Sequence, residues 1–382
     1  MIYGSKIQGC NALIKKCFEK KITLFISSLA GGGAEGVCVT VASGLAEAGW
    51  DVTLVILTLK DAAYRTRLSK KVNLVVLDLP NARSSILPIY NYLKTHKPTK
   101  VVVFNYELSL ILLLIKLFMR VNVKIISRNI NSLSENSKSV KRSFRTSVFS
   151  FLLMKIYKRS DHIVNQCEGM RTDLLSVFPK LKNKTSVIYN PVNTTVENEA
   201  VNIKPSEVSK GDYILCVGRL EDQKAFHFAI QAFSVLSKNH PSLRLKIVGQ
   251  GSLEQKLKQL VSDFNLSEKV DFEGFQESVI PYYLHAKLTL LTSLYEGFPN
   301  TLVESISLGT PVVAFNCKSG PSEIIEQGKN GYLVEYQNIN SLQDYLDKAL
   351  KSPFNGDDVL KSSEIYKIKN IIQSWEALLN EY

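Results

Sequence analysis

Two carboxylates with seven residues between them, Glu296 and Glu304, bracket the run Gly-Phe-Pro-Asn-Thr-Leu-Val. A carboxylate accepts hydrogen bonds from sugar hydroxyls, so one just after a strand and another in the first turn of the next helix can hold two rings of one ligand. The same residues permit a blander role, because Thr301-x-x-Glu304 has the spacing of a capping box, in which Glu304 would only satisfy a backbone amide. Upstream, Gly218-Arg219-Leu220 closes a strand pattern and Lys224 follows five residues after Arg219. A forked guanidinium and a point-charge ammonium at a strand end and helix start suit a diphosphate, although two solvated cations would look the same. Near the start of the chain, Gly31-Gly32-Gly33 lies between a strand and a helix, where bare backbone amides can face an anion. No G-x-G-x-x-G stands there, which disfavours a dinucleotide dehydrogenase.

These residues need a scaffold that brings strand ends together. Apolar runs at Lys21 to Ser27, Asp51 to Thr58, Val72 to Leu77, Lys100 to Asn105, Val123 to Ser127, His162 to Gln166 and Thr185 to Tyr189 predict strands, with helical spacing between them. Residues 191 to 211 turn polar and read as a linker. A second series follows, with strands at Tyr213 to Val217, Arg244 to Val248, Val270 to Phe272, Leu288 to Leu291, Pro311 to Phe315 and Tyr332 to Val334. The alternation predicts an α/β fold of two doubly wound parallel-sheet domains facing a cleft, with ligands outside the carboxyl ends of the strands. The expected division is 1–193, a linker at 194–211, 212–365, and a C-terminal helix at 366–382 that packs back on the first domain.

At 382 residues the chain suits two cores, and 45% hydrophobic with 21% charged residues is ordinary globular composition. Cys10, Cys17, Cys38, Cys167, Cys216 and Cys317 lack disulfide or zinc spacing and read as reduced thiols. His96, His162, His227, His240 and His285 lack metal-ligand spacing, and no Asp-x-Asp pair exists, so no metal and no cofactor is expected. The first 20 residues do not read as a secretory signal, and the longest apolar run, Leu108 to Phe118, already contains Lys116. A cytoplasmic protein is expected. The net charge of +12 asks for an anionic partner, and it is uneven: eleven Lys and Arg residues against Glu135 alone lie between Lys116 and Arg159. Lys138, Lys141, Arg142 and Arg145 beside the apolar Val148 to Met154 predict a surface on the cytoplasmic face of a membrane. The segment lacks any nucleic-acid-binding motif, which disfavours a nucleic-acid or polyanion binder.

The glycine loop, Tyr189-Asn190-Pro191-Val192, Val217-Gly218-Arg219-Leu220 with Lys224, Val248-Gly249-Gln250-Gly251, Phe272-Glu-Gly-Phe275 and Glu296 to Glu304 together resemble the retaining family-4 glycosyltransferases. The resemblance covers most of the chain and implies the GT-B fold. It implies that Arg219 and Lys224 hold the diphosphate of a nucleotide sugar, Glu296 the transferred sugar and Glu304 the ribose hydroxyls. Gly32 and Gly33 would face them across the cleft, and Phe275, Phe298, Pro299, Asn300 and Thr301 would complete the donor site. On family frequency the donor is UDP-linked and the sugar a hexose or N-acetylhexosamine. The acceptor would be a lipid-linked, lipopolysaccharide or capsule glycan. A UDP-sugar epimerase of similar architecture is the nearest rival, but it lacks the E-x7-E segment. Three departures stand out: Ala225 where glycine is common, Asn193 where aspartate is usual, and Ser127-Arg128-Asn129-Ile130 where some members carry an active-site histidine.

Overall fold

The computed structural model describes residues 20–79, 82–129 and 155–382. Cys10, Cys17, Ile130 and the basic, apolar stretch from Lys138 to Met154 lie outside them. The first sheet holds β1 (Lys21–Ile26), β2 (Asp51–Ile56), β3 (Asn73–Val76), β4 (Lys100–Val103), β5 (Lys124–Asn129), β6 (His162–Asn165) and β7 (Thr185–Val187). Its spatial order is β3-β2-β1-β4-β5-β6-β7. The second holds β8 (Tyr213–Val217), β9 (Arg244–Val248), β10 (Val270–Gly274), β11 (Leu288–Leu291), β12 (Val312–Phe315) and β13 (Gly331–Val334), in the order β10-β9-β8-β11-β12-β13.

Every pairing of these strands is parallel. Parallel strands need crossover helices and are covered on both faces, which is why they appear in the sequence as continuous apolar runs. Among the described residues the crossovers of the first domain include α1 (Gly33–Glu47), α2 (Ile86–His96), α3 (Tyr106–Phe118) and α4 (Glu168–Val177). Next come α5 (Thr194–Asn202), α6 (Phe226–Asn239), α7 (Glu254–Asp263), α8 (Ile280–His285) and α9 (Asn300–Ser307). The chain ends with α10 (Pro321–Ile324), α11 (Ile339–Lys351), α12 (Gly356–Ser362) and α13 (Ile368–Asn380). Strand order reverses between β1 and β4 in one sheet and between β8 and β11 in the other, so each domain offers a crevice there. Two such domains face to face make the GT-B arrangement.

The polar stretch read as a linker is not extended throughout. Asn193 accepts from the Thr195 amide at 3.0 Å and from its hydroxyl at 2.8 Å, and so caps α5, which buries Val196. Aspartate would cap equally well, which accounts for that departure. The polar residues hid the helix because only one narrow face is apolar. At the other end, α13 returns to the first sheet: Ile371, Ile372, Trp375, Leu378 and Leu379 join the core of β1, β2 and α1. The Trp50 indole donates to Glu376 at 2.9 Å, and Lys100 Nζ donates to the Leu379 carbonyl at 2.9 Å.

Candidate active site

The neighbouring ends of β8 and β11 bring Lys224 to Glu296. Lys224 Nζ donates to Glu296 Oε1 at 2.6 Å, and the Ser293 hydroxyl donates to the same oxygen at 2.6 Å. Both members of the pair are well enclosed, with side-chain exposures of 14% and 8%. Lys224 is therefore not the free cation that its sequence position suggests. Arg219 is exposed and, among the described residues, forms no salt bridge, although after the Ser252 hydrogen bonds its charge helps to keep the Glu221 carboxyl below its ordinary value. Gly249 lets the ends of β8 and β9 approach closely, because a Cβ there would stand 1.9 Å from the Gly218 carbonyl oxygen. Ala225 caps α6 with φ of 47° and ψ of 43°, the left-handed region that glycine adopts without strain. Glycine's frequency at this position in the resembled family thus has a backbone cause.

The capping box does not form. Helix α9 starts at Asn300 with Pro299 as its N-cap and no side-chain cap bond. Proline has no N–H for a reciprocal bond, and Thr301 and Glu304 fall two residues too deep to act as box partners. Among the described residues the Thr301 hydroxyl is buried without a partner. Glu304 instead reaches the wall of a solvent-connected cleft, which it shares with Gly33, Tyr64, Arg67 and Asn300. Its Oε2 accepts from the Tyr283 hydroxyl at 3.2 Å. Burial pushes the Glu304 carboxyl up to about 7, against the opposing pull of the Tyr283 hydrogen bond and the Arg67 charge.

The first domain supplies the facing wall. A Cβ added to Gly33 would stand 3.5 Å from Asn300 Nδ2, so the glycine loop and the start of α9 are neighbours. The Tyr64 hydroxyl donates to the Gly31 carbonyl at 2.9 Å, and the Arg67 guanidinium lies 4.6 Å from the Tyr64 ring centroid. Nothing in the sequence singled out Tyr64 or Arg67, since their loop after β2 carries no motif. Gly32 is the N-cap of α1. Ser127, Arg128 and Asn129, where some members of the resembled family have a histidine-bearing loop, form the buried end of β5. There Arg128 is 1% exposed, faces the Phe104 ring at 5.2 Å and donates through Nη2 to Asn190 Oδ1. Burial lowers its pKa to about 10, so it stays charged at neutral pH.

Other expected donor contacts separate. Phe275 is 69% exposed beyond β10, whereas the Phe298 side chain is buried between Tyr189 and Tyr366 at ring distances of 5.6 and 5.7 Å. Pro299 is buried beside Gly320. Among the histidines, His162 is held by Tyr382 and Ser186, and His240 by Asp347. Among the described residues, no group of three or more His, Cys, Asp or Glu side chains could hold a metal.

The two domains also meet through Glu323 of α10. Its oxygens accept from the Glu168 and Gly169 amides at 2.8 Å each, the first turn of α4, and from the Tyr189 hydroxyl at 3.2 Å. Lys318 pairs with Asp173 at 2.6 Å on the same seam.

Residues 31–196 match the family described as Glycosyltransferase Family 4, and residues 198–367 match Glycosyl transferases group 1. An uncharacterized glycosyltransferase of Methanocaldococcus jannaschii is 30% identical over 281 residues, covering 63% of this chain and 69% of that protein. A Campylobacter jejuni enzyme is 28% identical over 94% of this chain and 96% of its own length. It is named N-acetylgalactosamine-N,N'-diacetylbacillosaminyl-diphospho-undecaprenol 4-alpha-N-acetylgalactosaminyltransferase. The structure of Anabaena HepE in complex with UDP superposes with a TM-score of 0.74 at 17% identity, covering 95% of this chain and all of that one.

Proposed function

Because the chain belongs to the family-4 glycosyltransferases of the group 1 type, we propose that it moves a hexose or N-acetylhexosamine from a UDP-sugar to a lipid-linked or surface-polysaccharide glycan, with retention. The observation that carries this reading is the enclosed Lys224–Glu296 pair where β8 adjoins β11. There a cation and an acceptor carboxylate stand side by side, as the junction between a sugar and its diphosphate requires. Arg219 and Lys224 take the diphosphate, Glu296 the transferred sugar and Glu304 the ribose hydroxyls. Gly32 and Gly33 approach the phosphates from the facing domain, and the backbone of Phe298, Pro299, Asn300 and Thr301 borders them. The bond from the anomeric carbon to the diphosphate breaks while the acceptor oxygen bonds on the same face, and the acceptor proton passes to the leaving diphosphate. Fixed cations then stabilise the departing charge, with no metal in the step.

The UDP bound by HepE and the lipid-linked substrate named for the Campylobacter enzyme support the donor and acceptor classes. Among the described residues no helix is long and apolar enough to cross a membrane. Contact with the cytoplasmic membrane surface therefore rests on the basic stretch around Lys138 to Arg145. A panel of UDP- and GDP-sugars tested by thermal shift, followed by NMR of the anomeric configuration in the product, tests the reading. A ligand at 100 times its dissociation constant stabilises by about 2.7 kcal/mol. No shift with any nucleotide sugar, or an inverted product, would overturn it.

A further inference from the structure

A buried chain of amide groups runs from Arg128 to the cleft, and its polarity is fixed at two points. Arginine only donates, so Asn190 must turn Oδ1 toward Arg128 Nη2. Gln166 donates through Nε2 to the Asn129 carbonyl at 3.2 Å, so its Oε1 must accept, and Asn190 Nδ2 meets it at 3.2 Å. Both constraints leave Asn190 Nδ2 as a donor, and it gives a hydrogen bond to Asn300 Oδ1 at 2.8 Å. Asn300 then has one amide end left, Nδ2, which lies beside Gly33 on the cleft wall and has no acceptor among the described residues. At the other end of the chain, Arg128 Nη1 is buried without a partner, and no carboxylate among the described residues pairs with the guanidinium. Among the described residues, then, the charge behind the donor that faces the glycine loop has no carboxylate to compensate it.

We propose that Arg128 is a positioning residue that acts through Asn190 and Asn300 to hold the Asn300 Nδ2 amide as a hydrogen-bond donor for an anionic diphosphate oxygen in the cleft. The inference rests on the nucleotide-sugar reading for its ligand, but the amide polarity stands apart from it. With the chain intact, Asn300 meets an anion with N–H groups. With the chain reversed, it presents a carbonyl oxygen to that anion, which repels it. Because orientation alone decides the sign, a residue remote from the ligand controls affinity without touching it.

Asn190→Asp separates this role from a purely structural one. The new carboxylate pairs with Arg128 but no longer donates to Gln166 Oε1, two opposed effects that leave the denaturation midpoint little changed, while an acceptor-only group forces the Asn300 amide to turn and donate inward. The dissociation constant for UDP, read by calorimetry, should rise about tenfold in Asn190→Asp. In an Asn300→Ala background the same substitution should change it less than twofold. A loss of affinity that persists undiminished without the Asn300 side chain is a field effect of the added charge and overturns the relay, as does unchanged affinity in Asn190→Asp. Protein labelled with 15N-asparagine provides a readout that needs no ligand. The Asn300 side-chain amide signal, assigned by its loss in Asn300→Ala, should move in Asn190→Asp. An unmoved signal overturns the relay whether or not UDP binds. A moved signal in a parent protein that binds no UDP supports the relay and overturns only the nucleotide reading.

Discussion

Replacing Glu304 with Gln gives stability and binding readouts that must agree. Burial raises the carboxyl from 4.5 to about 7, so the folded protein keeps a proton that the unfolded chain releases near its ordinary value. The folded state therefore binds more protons than the unfolded state between roughly pH 4.5 and 7, and stability must fall as pH rises through that window. A difference of about 2.5 in pKa corresponds to about 3 kcal/mol lost by pH 8. Glutamine keeps the shape and can still accept from the Tyr283 hydroxyl, but it does not titrate. Urea denaturation of parent and Glu304→Gln at pH 5 and pH 8 isolates this group, because all other titrations cancel in the comparison. The variant should gain on the parent by up to about 3 kcal/mol at the higher pH. UDP titrations over the same range provide the binding readout. If the ionised carboxylate accepts the ribose hydroxyls, parent affinity improves toward pH 7 relative to the variant's, by at most about tenfold per pH unit, the variant's own profile reporting the ionisation of UDP. An equal stability gap at both pH values would refute the account of burial, and a parent UDP profile parallel to the variant's would refute the ribose role.

Other substitutions test separate parts of the site. Arg219→Ala should weaken UDP binding by about 10- to 100-fold with an unchanged denaturation midpoint, since the side chain is exposed and forms no salt bridge among the described residues. Lys224→Ala should lower both affinity and stability, the latter by about 3 kcal/mol, because it strands the enclosed Glu296; a normal midpoint would contradict the buried pair. Ala225→Gly should raise stability by up to about 1 kcal/mol by relieving the left-handed backbone, and a lower urea midpoint would show that no strain is held there. Glu323→Ala removes the carboxylate that caps α4 from the other domain, so small-angle scattering should report a larger, more variable radius of gyration. An unchanged scattering curve would assign domain closure to the remaining contacts.

The strands and most crossover helices were legible along the chain because each parallel strand is covered on both faces and so must be apolar throughout. Tyr213–Val217, Arg244–Val248 and Leu288–Leu291 have the bounds that their apolar runs suggested. The E-x7-E segment, the glycine loop and the cations after β8 were likewise visible as types and spacings, and their order was enough to point to the family. Pairing between distant residues was not. Lys224 meets Glu296 only because β8 and β11, remote in sequence, are neighbours in the sheet, and no local periodicity encodes that adjacency. The capping box failed for a more local reason, since the spacing was present but Pro299 took the N-cap and shifted the register of α9. Arg128 stood in the sequence as an unexplained departure from a histidine. Its role emerges only when β5, the turn after β7 and the start of α9 converge, bringing arginine and two asparagines into one directed line. Sequence fixes which groups can donate or accept, whereas the tertiary arrangement decides which of them face one another, because hydrogen bonds act over about 3 Å and the chain separations involved span tens of residues.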